Sequence, residues 1–159
     1  MNTEKLALLL AVTLAATSPS VAQDRSSWKQ YVGSSGTRIA FPVGVFPREA
    51  GPAEQGTGER FRTADGSGQL AVYSLSNPLH ETPARYLFHR LKLPRAAIKY
   101  QKVTPRFFVL SSARNGYIYY SRCNFARRIH CIYMTYPEQE KRAWDGIVTR
   151  VSNSLRSSG

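Results

Sequence analysis

The chain predicts an α+β fold: an antiparallel sheet, a meander in its C-terminal half, covered by helices on both faces as an α/β/α sandwich. Three observations carry this. Segments 106–114, 117–125 and 129–136 are strand-like and are joined by two turn signals, Asn115-Gly116 and Arg127-Arg128. With Arg114 opposite Tyr117, one face of the meander collects Phe108, Leu110, Tyr119, Cys123, Ile129 and Tyr133, and the other Phe107, Val109, Ile118, Tyr120, Ile132 and Met134. Both faces are apolar, so both need cover. Two amphipathic segments, starting at Thr82 and Pro137, are available to supply it.

The elements follow from periodicity and turn chemistry. Residues 28–32 are a short extended segment before the turn Gly33-Ser34-Ser35-Gly36. Residues 37–41 alternate polar and apolar, which is strand periodicity, and Pro42 ends the run. Residues 47–58 are rich in Pro and Gly and are expected to form a surface loop. Two strands, 59–63 and 69–76, flank the turn Ala64-Asp65-Gly66-Ser67-Gly68. Thr82 is an N-cap with Pro83 at the first helical position. Ala84, Leu87, Phe88 and Leu91 then recur at helical spacing and predict one buried face, until Pro94 stops the helix. Residues 99–103 add a strand ahead of the meander. In the last helix Glu138 and Glu140 sit near the positive end, and Trp144, Ile147, Val148, Val151 and Leu155 make one apolar stripe.

The N-terminus reads as a signal peptide. Residues 6–16 are an apolar run far short of the roughly 20 residues a bilayer span needs. Ser20-Val21-Ala22 supplies the small residues of a cleavage site, so cleavage is expected after Ala22. Residues 23–159 then form a single domain with its own core and no transmembrane segment, periplasmic or secreted. Export leads to an oxidising space, and a turn centred on Arg127 sets Cys123 opposite Cys131. Directly opposed Cβ atoms lie about 4.5–5.5 Å apart, close enough to predict a disulfide. Neither a metal nor a cofactor is expected, since His130 is the only further ligand type beside the cysteines.

The formal charge of +12 is concentrated. Between Glu81 and Glu138 lie eleven Lys and Arg residues and no carboxylate, while the flanking segments are nearly balanced. In an exported protein such charge points away from genomic DNA and toward anionic lipid, acidic polysaccharide or an acidic protein. Juxtaposition to an anionic surface gains about 1 kcal/mol per Lys or Arg.

Two resemblances bear on this reading. Gly36-Thr37-Arg38-Ile39-Ala40-Phe41-Pro42, and Tyr136-Pro137 leading into the last helix, are similar to the opening strand and closing helix of the Mog1/PsbP-like sandwich proteins. Trp28-Lys29-Gln30-Tyr31, Val103-Thr104-Pro105-Arg106-Phe107-Phe108 and Trp144-Asp145-Gly146-Ile147-Val148 resemble a set of small exported alphaproteobacterial proteins, rhizobial in type and of uncharacterised function. The first likeness implies an accessory or binding role. Neither supplies a catalytic residue.

Residue chemistry agrees in direction. No Ser stands in a Gly-x-Ser-x-Gly setting, and His89 and His130 lie in a stretch without acids, which gives a small periplasmic hydrolase little support. The basic residues read better as a binding site. Arg122, Asn124 and His130 share one sheet face near the hairpin tip, beside Arg127 and Arg128, and arginine forks suit phosphate and carboxylate oxygens. Arg85, His89, Arg90 and Lys92 on the Thr82 helix make a second candidate patch. The expected function is a non-enzymatic binding or accessory domain that contacts an anionic envelope partner, or one that docks to another envelope protein by shape.

Overall fold

The computed structural model describes residues 27–157. The expected signal peptide and its cleavage after Ala22 lie outside the described residues. The elements run β1 (Trp28–Val32), β2 (Thr37–Pro42), β3 (Arg48–Pro52), β4 (Thr57–Arg62), β5 (Gln69–Ser76), α1 (Pro83–Arg90), β6 (Ile98–Val103), β7 (Phe107–Arg114), β8 (Tyr117–Phe125), β9 (Arg128–Pro137), α2 (Lys141–Ser154) and β10 (Arg156–Ser157). Strands β3-β4-β5-β9-β8-β7-β6 form a seven-stranded antiparallel sheet, and β1-β2-β10 form a second, three-stranded one.

The meander has the expected register, with Arg114 opposite Tyr117, Phe125 opposite Ile129 and Cys123 opposite Cys131. Strand β9 then pairs with β5 from Gln69↔Thr135 to Ser76↔Arg128, which joins the two halves of the chain. The Pro/Gly-rich stretch is a correction to the expected loop. It forms strand β3 and the start of β4, with the register shift between Glu49 and Pro52 and a left-handed Gly51 (φ 81°). An edge strand tolerates this, because a proline there removes no ladder hydrogen bond and a bulge absorbs the irregular residues.

The two faces of the large sheet are covered differently. On one, α2 and the three-stranded sheet act as a single layer. Ile39 and Phe41 from β2, Phe46, and Trp144, Val148, Val151 and Leu155 pack on Leu70, Val72, Ile118, Ile132 and Met134. The expected helix is there, and α2 lies beside β2, so helix and strands share the layer. The Ala40 amide donates to Ser154 Oγ at 2.8 Å, fixing β2 to the helix. Trp144 stacks on Tyr136 with centroids 4.8 Å apart, and its indole N–H donates to Glu140 at 3.0 Å.

The other face is covered only in part. Helix α1 has eight residues and begins as the sequence predicts, with Thr82 Oγ1 accepting from the Arg85 amide at 3.4 Å and Pro83 in the first turn. Asn77 ties its start to the β8–β9 hairpin: the Glu81 amide donates to Asn77 Oδ1 at 2.8 Å, and Asn77 Nδ2 donates to the Ala126 carbonyl at 3.2 Å. Under the helix, Tyr86 meets Phe108, Leu110, Ile129 and the Cys123–Cys131 disulfide. Among the described residues no helix is long and apolar enough to cross a membrane.

Trp144 is buried and joins α2 to the sheet, so Trp144→Ala is expected to cost about 3–5 kcal/mol. Urea unfolding of the variant and the parent measures this.

Candidate functional site

Helix α1 buries only part of the stripe its spacing singles out. Its buried residues are Pro83 and Tyr86. Tyr86 is held by a stacked contact with Phe108 (5.9 Å between centroids) and an edge contact with Phe125 (5.5 Å). Beside Tyr86, Leu87 and Leu91 are half-buried against the same cluster, while Ala84 and Phe88 stay exposed on the flank toward β6. All four line a groove of about 380 Å³ with Leu93, Ile98, Val103 and Leu110. Phe88 is 78% exposed and Val103 39%. The far bank is the outermost strand of the large sheet, so its outer edge carries backbone groups without a ladder partner.

Every residue lining this groove falls between 84 and 110, inside the stretch that contains no carboxylate. Arg85, His89, Arg90 and Lys92 are exposed on or just after α1, and Arg95, Lys99 and Lys102 are exposed on the segment that returns along β6. Arg90 turns away from the groove: it lies 5.9 Å above the Tyr86 ring and 3.7 Å from Glu81. Lys102 Nζ is 5.8 Å from the Phe107 ring centroid. Lys102 thus points to the face opposite the groove, toward Phe107 and Arg122, and the cations of the second patch, Arg85, His89, Arg90 and Lys92, lie on or just after α1.

The hairpin residues have other partners. Arg122 is half-buried, 4.7 Å over the Phe107 ring, and donates to Asn124 Oδ1 at 3.3 Å and Asn153 Oδ1 at 3.4 Å. Burial, and then the nearby Arg156, lower its pKa. Asn124 Nδ2 donates to the Leu155 carbonyl at 3.4 Å. Arg128 donates twice to Ser74 Oγ, at 3.2 and 2.9 Å. His130 is 3% exposed, with Nδ1 2.8 Å from Thr37 Oγ1. Arg127 is exposed at the turn. The expected common face is present, but four of the five side chains hold the hairpin against β5, β2 and the end of α2. No sequence signal distinguishes that use from anion binding, because both call for arginine forks and amides.

Burial, followed by the charge of Arg128, lowers the His130 pKa below its ordinary 6.5. This imidazole is therefore not the added cation that its type suggests. His80 and His89 are exposed, and the ion pairs among the described residues include no histidine. The Ser–His–acid arrangement a hydrolase needs is not assembled around His130, whose side-chain partner is Thr37.

No protein family and no curated protein matches this chain. Solved structures do, and one of the matches is the solution structure of cyanobacterial PsbP (CyanoP) from Synechocystis sp. PCC 6803. It matches at a TM-score of 0.62 over 91% of this chain and 99% of that chain, with 13% sequence identity. At that identity the likeness is one of fold, and the fold is the Mog1/PsbP-like α+β sandwich.

Two outcomes test the hairpin geometry. The folded imidazole of His130 has the lower pKa, so the unfolded chain takes up the proton first and stability falls as pH drops below about 6.5. His130→Gln should flatten the difference in urea midpoint between pH 7 and pH 5.5. Replacing both cysteines by Ala frees a short loop in the unfolded chain and is expected to cost about 2–3 kcal/mol in the same assay.

Proposed function

We propose that this chain is an exported, non-enzymatic accessory domain that holds an acidic segment of another protein along β6, with apolar anchors in the α1–β6 groove. Membership of the small exported alphaproteobacterial set, cleavage after Ala22 and a periplasmic or secreted location belong to the same reading. The Cys123–Cys131 disulfide supports them, since such bonds persist in oxidising compartments. The observation that carries the proposal is the apolar groove built wholly from the acid-free stretch, with Phe88 78% exposed on its rim.

The chemistry selects among anionic partners. A polysaccharide has no apolar side chains to fill a concave surface lined by Leu87, Phe88, Ile98 and Val103. A bilayer surface gains from cations and a protruding Phe88, but it leaves the floor of the groove and the strand edge unused. An extended peptide uses all three: backbone hydrogen bonds on the edge, alternate apolar side chains in the groove, and carboxylates against the cations. Lys99, Lys102 and the irregular pairing between Ile98 and Tyr100 also make β6 a poor template for a second copy of itself. An acidic strand turns that repulsion into attraction.

Titration calorimetry with a peptide alternating Glu with Val and Leu tests the reading. The chain should bind it, and raising salt from about 50 to 500 mM should weaken binding about tenfold or more. Phe88→Ser and the pair Lys99→Glu and Lys102→Glu should each weaken it about tenfold, since loss of one anchor or reversal of two charges removes at least about 1.4 kcal/mol. Arg127→Ala should leave it unchanged. Binding that ignores the first two changes contradicts the groove. Preference for phosphatidylglycerol vesicles over the peptide, lost in the same variants, replaces the protein partner by a lipid surface.

A further inference from the structure

The opposite flank of α1 holds a cavity of about 260 Å³ with a different character. Its floor comes from β5, β8 and β9, with Ala71, Tyr73, Ser121, Cys123 and Tyr133. One wall is Tyr86 and Leu91 at α1, and the other is Glu54, Gln55 and Arg60 around the β3–β4 turn. Residues from 54 to 133 thus converge on one space.

Three tyrosine hydroxyls dominate it. Among the described residues, the tyrosine hydroxyl that finds a protein partner is that of Tyr120, which donates to Ser152 Oγ at 2.6 Å. Those of Tyr73, Tyr86 and Tyr133 have none. No fully buried side-chain oxygen or nitrogen there lacks a partner, so these three hydroxyls are accessible, and their residues line the cavity. Burial raises the pKa of all three, that of Tyr133 to about 12, and Tyr73 is raised further by both of the others. They remain hydroxyls at any physiological pH. Each donates one hydrogen bond and accepts another, as do Ser121 and, through its amide, Gln69.

The charges beside them cancel. Arg60 Nη1 is 2.8 Å from Glu54 Oε1, and Arg60 Nε donates to the Pro52 carbonyl at 2.9 Å. The pair leaves little net charge to attract an anion. Phe108, Leu91, Ala71 and the disulfide supply apolar wall between the polar groups. The space is smaller than a drug-sized pocket and suits a single ring.

We propose that this cavity binds a neutral polyhydroxylated ring, a pyranose sugar, through the Tyr73, Tyr86 and Tyr133 hydroxyls with Gln69 and Ser121. A pyranose presents hydroxyls that both donate and accept around C–H faces that pack on carbon. A purely apolar ring would leave the tyrosine hydroxyls unpaired, and a charged one would leave its charge unmatched. The site shares Leu91 with the peptide groove but lies on the other flank of α1, and the proposal stands without that groove.

Two-dimensional NMR titration of the purified chain with methyl glucoside, methyl galactoside and methyl N-acetylglucosaminide tests this, with cyclohexanol and benzoate as controls. At least one glycoside should shift Tyr73, Ser121 and Tyr133 saturably below about 50 mM, and the controls should bind more weakly. Tyr73→Phe and Tyr133→Phe keep the rings and should each weaken that binding about tenfold, while Tyr120→Phe should not. Absence of saturable binding to all three glycosides overturns the proposal. So does equal binding of cyclohexanol or benzoate, or undiminished binding by both tyrosine variants.

Discussion

Everything in this molecule depends on a seven-stranded sheet with two apolar faces, one of which is covered more completely than the other. Strands β5, β8 and β9 put Leu70, Val72, Ile118, Ile132 and Met134 on one side and Tyr73, Cys123, Ile129, Cys131 and Tyr133 on the other. Exposing either set to water is unfavourable by about 25 cal/mol per Å². The first side is closed by a continuous layer, α2 with β1, β2 and β10, centred on Trp144. The second receives an eight-residue helix that rests on one buried tyrosine. A helix so short protects the hairpin end of the face and leaves space on both flanks. The groove toward β6 and the cavity toward β4 are two consequences of that single shortfall.

Charge and crosslinking follow the same division. On the more completely covered face Arg122 and Arg128 are tied down by Asn124, Asn153 and Ser74. On the incomplete face the cations stay in solvent beside apolar side chains. The disulfide lies beneath α1, in the cluster with the least helical cover, and Asn77 links the helix start to the same hairpin. A thin layer is thereby fixed without being widened. This leaves Phe88 exposed above the crosslinked sheet.

The legible part of the fold was the part set by local rules. Asn115-Gly116 dictates a two-residue hairpin, which fixes the register through to Cys123 and Cys131, and Thr82-Pro83 marks a helix start. Pairings between distant segments were not legible. Nothing near Thr37 announces that it will meet His130, nor does Arg156 announce a strand beside β2. The α1 stripe was visible as a pattern, but its destination depends on Tyr86, which breaks the helical spacing and takes the buried place. The hairpin cations were visible as candidates, and their partners Ser74 and Asn153 come from other elements. The tyrosine cavity has no sequence signature, because its residues span most of the domain.

In the proposed function the incompletely covered face, and not the hairpin tip, meets the acidic segment. Hydrogen–deuterium exchange on the chain, free and saturated with the acidic apolar peptide, tests it most directly. Slowed exchange confined to residues 84–103, strongest along β6, is the expected result. Protection centred on residues 122–130, with β6 exchanging as in the free chain, would contradict it.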